Sequence, residues 1–324
     1  MRLEDSTSSD TRPDYLIATQ FLQVQDDEVG APKKREGSCY WDFLATFYYP
    51  ANSSKAGSVG MSDEKLVITA TTANSWIYPE VKNWALSTDA LIDDVVQCAE
   101  AGAAIAHIHL PQGEEADTVK QIRERSDIII QAGMSSYPIE ERTAVFDAHP
   151  DMLSVILNHH DEHFTDLVVN QLHPLEELEM YCAKCREAKI APEWEVWHTG
   201  SYWNLGYLID KHLVDPPHIL TLFFGWPGGT WSPPTIDEYM HRIKYMPDNC
   251  VYSVSVMGSG QAAIVLASIQ RGGNVRVGTE DFPFIRTDMP AKNNAEIVSQ
   301  VVRTAKEIGR EVADPSEARR ILGL

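Results

Sequence analysis

Cysteine and basic residues are both scarce in this chain. Five cysteines occur in 324 residues, an odd number, and 27 lysines and arginines face 47 aspartates and glutamates, for a formal net charge of −20. So few thiols exclude a small disulfide-stabilised scaffold. A strongly acidic chain is a poor ligand for polyanions, so we expect neither nucleic acid nor an anionic membrane as a partner.

Long apolar runs are also lacking. No stretch of 18 or more apolar residues occurs, and the N-terminus has no basic segment followed by an apolar one. We therefore predict no membrane span, no secretory signal and a cytoplasmic location. The chain does have the length, and with 44% hydrophobic residues the composition, for one large α/β domain with a substantial core.

The first 60 residues differ from the rest of the chain. They mix Ser-, Asp- and Pro-rich stretches with two apolar patches, and they show no sustained hydrophobic period. Met61 then leads into a strand-like run that begins at Leu66. We therefore predict an N-terminal extension at 1–60, disordered or docked, and a main domain at 61–324.

From Leu66 onward, strand-like and helix-like segments alternate. The predicted strands are 66–71, 103–109, 127–132, 152–157, 192–197, 218–224, 251–256 and 274–278. The predicted helices are 88–101, 116–125, 138–148, 174–188, 201–213, 235–244, 260–271 and 293–308. Eight βα units in about 250 residues are typical of a (β/α)₈ TIM barrel, whereas a doubly wound sheet usually has fewer strands.

Two histidines end the second predicted strand. His107 and His109 stand at i and i+2, and because strand side chains alternate between faces, both imidazoles point the same way. Imidazole nitrogens are ligands for zinc and similar ions, and a strand end is a rigid place to hold them. Alternatively, two histidines on a buried strand could satisfy hydrogen bonds within the core. The spacing alone leaves both interpretations open.

A candidate third ligand follows the eighth predicted strand, where Glu280 and Asp281 are adjacent. In a closed ring of eight parallel strands, the second and eighth strands both flank the first, so these acids and the two histidines can face one metal. Two histidines and one carboxylate leave an open coordination position, as in catalytic sites. The other acid would then be free for proton transfer. Alternatively, Arg276 and these two acids could form an ordinary surface salt bridge at the strand end.

Other predicted strand ends add polar groups. Glu193 and Glu195 share one face of the fifth strand, and we expect Glu193 to point into the barrel. Ser135 and Ser136 follow the third strand and offer hydroxyls for a carboxylate. The histidine-rich segment 158–163 after the fourth strand could hold a rival metal. Since consecutive loop residues cannot all face one ion, we predict a solvated loop there.

Several of these segments together resemble the β-keto acid cleavage enzyme family. The matching motifs are His107-x-His109, Pro192-Glu193-x-Glu195, Arg276-Val277-Gly278-x-Glu280-Asp281, Asn293-Asn294-Ala295-Glu296 and the run from Gly309 to Gly323. The resemblance extends from about Leu66 to the C-terminus. It implies a TIM barrel that uses Zn²⁺, or another divalent first-row metal, to convert a β-keto acid and acetyl-CoA into acetoacetate and a new acyl-CoA. It also implies a homo-oligomer, commonly a homotetramer.

The resemblance implies separate roles for the polar residues. Three of them would bind the metal, namely His107, His109 and Glu280. Asp281, oriented by Arg276, would remove the α-proton of the substrate. Glu193 would support the site through its hydrogen bonds.

The chain departs from the family pattern around the substrate. Asn74 and Ser75 stand where the amine-accepting member of the family carries a glutamate, and Ser135 and Ser136 replace the usual Gly-Gly. The loop after His109 is also shortened. We predict that these four residues line the substrate pocket. Because neither Asn74 nor Ser75 can neutralise a buried ammonium, we expect the distal end of the substrate to be neutral or apolar.

Two other functional classes fit parts of the sequence. A metal-dependent hydrolase or aldolase on the same barrel would also use His-x-His on a strand, but it needs further histidines at later strand ends, where His198 is the one comparable residue. A catalytically silent barrel that binds a ligand is suggested by the altered loops alone. Consumption of a β-keto acid only in the presence of acetyl-CoA would distinguish a β-keto acid cleavage enzyme from both of these classes.

Overall fold

The structure, a computed structural model, describes most of the chain from residue 64 onward. The described ranges are 64–72, 78, 81, 85, 87–133, 142–157, 159–164, 167–226, 232–286 and 288–324. For 143, 159–164 and 167–171 the backbone alone is described. The predicted extension at 1–60 and four candidate substrate residues (Asn74, Ser75, Ser135 and Ser136) lie outside these ranges.

Eight parallel strands close into a barrel, which confirms the predicted TIM-barrel fold. In chain order they are β1 Ile68–Thr71, β2 Ile105–Ile108, β3 Ile129–Gly133, β4 Met152–Ile156, β7 Ala191–Val196, β8 His218–Phe224, β9 Cys250–Val256 and β10 Asn274–Gly278. Strand β1 pairs with β2 on one side and with β10 on the other, as the closed ring predicts.

Most of the described helices begin and end within about three residues of the predicted bounds, but the helix at 142–147 covers only part of the predicted 138–148, and the helix at 315–322 is not among the predicted ones. The described helices are α1 Thr88–Ala101, α2 Glu115–Arg125, α3 Arg142–Asp147, α4 Leu175–Ala188, α5 Ser201–Asp210, α6 Ile236–Tyr245, α7 Gln261–Gln270, α8 Asn294–Glu307 and α9 Pro315–Leu322. Helix α1 begins where the Ser87 side chain accepts a hydrogen bond from the backbone of Ala90, and Asn293 caps α8 in the same way. None of the helices within the described ranges is long and apolar enough to cross a bilayer.

Two short hairpins depart from the predicted alternation. Strands β5 His159–Phe164 and β6 Leu167–Leu172 pair in antiparallel register, and β11 Phe284–Arg286 pairs with β12 Met289–Pro290. The prediction of a loop over 158–163 is therefore wrong for 159–163. The polar run His159 to His163 has no apolar alternation of its own, and its pairing with the Val-rich segment β6 gives it strand structure.

The barrel interior changes character along the strands. Near the amino ends the inward side chains are apolar, and they include Val67, Ile105, Ile129, Met152 and Ile219. Two residues further along each strand, on the same face, the side chains are polar and still buried, namely Thr69, His107, Gln131, Ser154 and Thr221. Alternate residues such as Ile130 and Leu220 point outward into the helix layer. An apolar floor therefore lies beneath a polar upper interior.

The Arg310 side chain hydrogen-bonds to distant segments of the chain at the amino ends of the strands. The residue is 2% exposed. It donates to the backbone oxygens of Glu64 at 3.1 Å, Ile269 at 3.0 Å and Gly273 at 2.5 Å, with longer contacts to Lys65 and Gly272. One side chain therefore satisfies carbonyls from the segment before β1 and from the turn before β10.

We expect Arg310→Met to lower the free energy of unfolding by about 3 kcal/mol or more. Each buried carbonyl left without a donor costs about 1–3 kcal/mol, and methionine fills the space without donating. Denaturant unfolding measures the change. The matched control is Arg303→Met on the exposed side of α8, which should stay within about 0.5 kcal/mol. Equal stability of Arg310→Met and Arg303→Met would contradict this role.

Candidate active site

Three side chains that could hold a metal ion meet at the carboxyl ends of β2 and β10. The ligand atoms of His107, His109 and Glu280 all lie within 4.8 Å of one another. The two Nε2 atoms are 3.5 and 3.3 Å from the carboxylate oxygens of Glu280. Within the described ranges, this is the one group of three or more His, Cys, Asp or Glu side chains arranged in this way. The structure thus brings together the three residues predicted as ligands.

A glycine lets the chain turn into the site after β10. Gly278 has φ 152°, and a Cβ there would lie 2.1 Å from the carbonyl oxygen of Thr71 on β1. Only glycine permits this close approach of the two strands. The next residue, Thr279, is held by its backbone N–H, which donates to Asn294 Oδ1 at 2.8 Å. Glu280 and Asp281 are consequently directed back over the barrel mouth.

The protonation of this group suits a divalent cation. Burial and the nearby Arg276 lower the pKa of His107 to about 3, so its ring is neutral and keeps a lone pair. Burial alone would raise the pKa of Glu280, but the charge of Arg276 holds it well below its usual range. Glu280 Oε2 is buried and accepts no hydrogen bond within the described ranges, although Arg276 Nη2 is 2.9 Å away. Imidazoles and one carboxylate fit a first-row metal.

Arg276 and Asp281 form a second buried pair beside this group. Arg276 donates from Nε and Nη2 to the two Asp281 oxygens at 3.2 and 3.0 Å, and Ser255 Oγ donates to Oδ2 at 3.0 Å. Burial raises the pKa of Asp281, the charge of Arg276 opposes this, and the neighbouring Glu280 adds to it. A carboxylate whose pKa is raised toward neutrality is a suitable proton acceptor.

A row of buried polar side chains leads away from His107 across the barrel interior. His107 Nδ1 is 2.8 Å from Gln131 Oε1 on β3. The other end of that amide donates from Nε2 to Glu193 Oε2 on β7 at 3.4 Å. Ser154 Oγ on β4 lies 2.8 Å from the same Glu193 oxygen and 2.5 Å from Glu195 Oε1. Both glutamates therefore point into the barrel, as expected for Glu193.

One hydroxyl cannot serve two ionised carboxylates. Ser154 has a single proton to donate, so it can bond to only one of Glu193 and Glu195 unless the pair itself carries a proton. Burial, followed by the charge of Glu195, raises the pKa of Glu193 to about 7. The two acids therefore hold one proton between them below neutral pH.

Aromatic side chains cover the other side of the barrel mouth. Trp197 and Phe223 stack with ring centroids 5.0 Å apart, and the guanidinium of Arg276 lies 5.1 Å from the centroid of Phe223. Trp197 also donates from Nε1 to Glu195 Oε2 at 2.9 Å. The buried Arg242 of α6 donates to the backbone oxygens of Trp197 and Phe223, both at 2.6 Å. The stack is consequently fixed from the helix layer.

Some functional candidates went unnoticed in the sequence. The sequence analysis does not predict Gln131, Ser154 or Ser255 as site residues, although each is a buried polar residue on a barrel strand. A polar residue at an inward position of a buried strand is the sequence signal that could have identified them. His198, the histidine that a hydrolase would need, accepts a hydrogen bond from the backbone of Gly200 and does not belong to the group of His107, His109 and Glu280.

Known proteins are similar to this chain over most of its length. The model of the beta-keto acid cleavage enzyme family matches residues 65–324. A 3-keto-5-aminohexanoate cleavage enzyme of Acetoanaerobium sticklandii is 30% identical over 275 residues, which cover 81% of this chain and 99% of that protein. A 3-dehydrocarnitine:acetyl-CoA trimethylamine transferase of Rhizobium meliloti is 23% identical, covering 82% of this chain and 98% of that protein.

A solved structure shares the fold. The binary complex of ObcA with oxaloacetate superposes with a TM-score of 0.62 at 14% sequence identity, covering 75% of this chain and 67% of that one. At so low an identity the likeness concerns the barrel architecture alone.

We expect the proton on the glutamate pair to appear in the pH dependence of stability. Because the folded-state pKa of Glu193 is about 7, above the usual value of 4.5, the folded chain holds an extra proton between these values. This stabilisation is fully present below pH 4.5 and is lost as the pH rises through 7. Relative to Glu193→Gln, the unfolding free energy of the natural chain should fall by about 1 kcal/mol per pH unit from pH 5 to 7.

Denaturant titrations of both proteins at several pH values measure that difference. Taking the difference cancels the opposing contribution of His107, whose lowered pKa makes stability rise with pH in the same window. Glu187→Gln, an exposed change on α4, is the control and should show no such slope. A difference between the natural chain and Glu193→Gln that does not vary with pH would refute the shared proton.

Proposed function

The chain belongs to the beta-keto acid cleavage enzyme family, and on that premise we propose that it exchanges the acyl group of a β-keto acid with the acetyl group of acetyl-CoA. The products are acetoacetate and a new acyl-CoA. The observation that carries the proposal is the buried group of His107, His109 and Glu280 beside the Arg276–Asp281 pair. The printed names of several relatives include acetyl-CoA, which supports it as the co-substrate.

His107, His109 and Glu280 would hold a divalent first-row metal, Zn²⁺ in our proposal. When bound, such an ion would act as a Lewis acid toward the β-keto carbonyl of the substrate. The neutral ring of His107 and the ionised carboxylate of Glu280 are the forms that ligation needs.

Asp281 would remove the proton from the α-carbon between the two carbonyl groups. Its position is fixed by the two-point contact with Arg276 and by the hydroxyl of Ser255, so the accepting oxygen cannot rotate away. Arg276 also keeps Asp281 in its charged form before the transfer. Glu193 would act at a distance from the substrate, through Gln131 and His107.

The remaining steps balance without an added oxidant or reductant. The deprotonated α-carbon attacks the acetyl carbon of acetyl-CoA, and the C–S bond breaks to release the CoA thiolate. The thiolate then adds to the original keto carbon, and the bond between that carbon and the α-carbon breaks. The keto carbon leaves as acyl-CoA, while the α-carbon, now part of acetoacetate, recovers its proton from Asp281.

Other parts of the proposal concern features outside the described ranges. Asn74 and Ser75 would line the distal end of the substrate, and Ser135 and Ser136 would receive its carboxylate. Residues 1–60 would form an extension to the barrel. We also propose a homotetramer in the cytoplasm, which light scattering on the purified full chain and fractionation of cells would test.

A screen of β-keto acids with acetyl-CoA, with acetoacetate as the readout, tests the function directly. We expect acetoacetate to form only when both substrates are present, together with an acyl-CoA that carries the acyl fragment of the keto acid. Release of acetoacetate without acetyl-CoA would favour a hydrolase or aldolase. Binding of a keto acid with no product from any of the panel would favour a silent barrel.

We expect the purified chain to carry about one divalent metal ion, and His107→Ala or His109→Ala to remove it. Losing one of three protein ligands leaves too few donors for a stable catalytic site. Elemental analysis by mass spectrometry measures the metal content. His198→Ala is the control and should keep the metal, because its ring contacts its own turn. Metal retained in the double histidine variant would contradict the assignment.

Asp281→Asn should keep the metal but lose turnover by roughly 10²–10⁴-fold, since a general base typically contributes that factor. Initial rates and metal content, measured on the same preparation, separate the two effects. Asp288→Asn, an exposed acid between β11 and β12, is the matched control and should turn over normally. If Asp281→Asn were metal-free while Glu280→Gln kept its metal, the roles of the two acids would be exchanged.

A further inference from the structure

We propose that Gln131 is a positioning residue: it holds the His107 ring in the tautomer with its proton on Nδ1, so that the lone pair on Nε2 faces Glu280. Its consequence for metal binding rests on the proposed function, whereas the tautomer itself is a property of the metal-free chain. No catalytic step is assigned to Gln131, which lies behind His107.

The contact that sets the tautomer is short and buried. His107 Nδ1 and Gln131 Oε1 are 2.8 Å apart, and the two residues are 2% and 3% exposed. A carbonyl oxygen can only accept, so this distance requires Nδ1 to carry the proton. The two nitrogens of a neutral imidazole differ in this respect, and the partner of one decides the state of the other. Nε2 then presents its lone pair to Glu280, 3.5 Å away.

Glu193 fixes which end of the Gln131 amide faces His107. Gln131 Nε2 lies 3.4 Å from Glu193 Oε2, and that oxygen also accepts from Ser154 Oγ at 2.8 Å. If the amide were turned over, its carbonyl oxygen would face an oxygen that is already an acceptor, and its NH₂ group would face Nδ1. The first contact is repulsive when Glu193 is ionised, so the observed orientation is the favoured one above the pKa of that acid, about 7. Glu193 therefore orients Gln131, and Gln131 orients His107.

Strand register makes this arrangement rigid. His107 and Gln131 are direct partners across β2 and β3, and Ser154 and Glu193 are direct partners across β4 and β7. Neither pair can slide without breaking the parallel ladder. The amide thus arrives at Nδ1 from a fixed backbone position, which limits the entropy lost on forming the bond.

The choice of an amide also suits the local charge. Glu193, Glu195, Glu280 and Asp281 already place four carboxyl groups in the upper interior, with Arg276 as the cation among them. A carboxylate at position 131 would accept from Nδ1 equally well but would lie against Glu193. A neutral acceptor fixes the ring without adding a further negative charge.

The test compares Gln131→Met with the natural chain. Methionine matches glutamine in length, and its thioether sulfur is only a weak acceptor for the Nδ1 proton. Magic-angle-spinning ¹⁵N NMR of metal-free, histidine-labelled protein distinguishes protonated from lone-pair ring nitrogens, and His107→Asn assigns the His107 signals. We expect protonated Nδ1 in the natural chain and a mixed or reversed tautomer in Gln131→Met. An unchanged tautomer in Gln131→Met would overturn the proposal.

Metal affinity gives a second, independent readout. Competition with a chromophoric chelator for Zn²⁺ should show affinity about 10–100-fold weaker in Gln131→Met, the usual effect of losing the partner of a ligating histidine. Gln121→Met, an exposed change on α2, is the matched control and should bind as the natural chain does. If the natural chain shows the Nδ1–H tautomer but binds no metal, the proposed function fails and the tautomer assignment stands.

A second variant guards against misfolding of Gln131→Met. Gln131→Glu keeps an acceptor oxygen opposite Nδ1, so we expect the natural tautomer to persist, together with lower stability from the added charge near Glu193. Appearance of the proton on Nε2 in Gln131→Glu would overturn the proposal even if the methionine variant did not fold.

Discussion

Arg276 is the charge on which the upper interior of the barrel depends. Its guanidinium is buried and pairs with Glu280 at 2.9 Å and with Asp281 at 3.0 Å. Without it, two adjacent carboxylates would be buried without compensation, which costs several kcal/mol for each ion. The two acids nevertheless differ, because Glu280 also faces His107 and His109, whereas Asp281 faces the hydroxyl of Ser255. A single cation thus stabilises both acids, and their other neighbours give the two acids different chemical roles.

The polar interior imposes a second constraint. Barrel interiors are usually filled by branched apolar side chains. Here that holds only for the floor, and above it each buried polar group needs a partner. Gln131 and Ser154 meet this need, because they link His107 to the glutamates of β7. These linking residues therefore matter to the site although they lie behind the groups that would contact a substrate.

The sequence was sufficient to predict the barrel and the meeting of the two strand ends. Each barrel strand is a compact apolar run between turn residues, and ring closure alone places β2 and β10 beside β1. The row from His107 to Glu195 was not predictable in the same way. Its contacts cross between strands, and a single polar residue such as Gln131 shows its partner only when the register is known. The β5–β6 hairpin was missed because its first strand lacks alternation.

Register connects the site to the opposite end of the barrel. Level with Gln131 on the next strand stands Met152, a floor residue, and Ser154 lies one inward position higher. The row of buried polar side chains therefore lies nearer the carboxyl ends of the strands on β4 than on β3. The distances between its members depend on how the apolar floor packs. Helix α9 seals that floor through Ala318 and Leu322. Because a slip of one residue would turn every inward side chain outward, packing of the C-terminal helix helps to keep His107 and Gln131 facing each other.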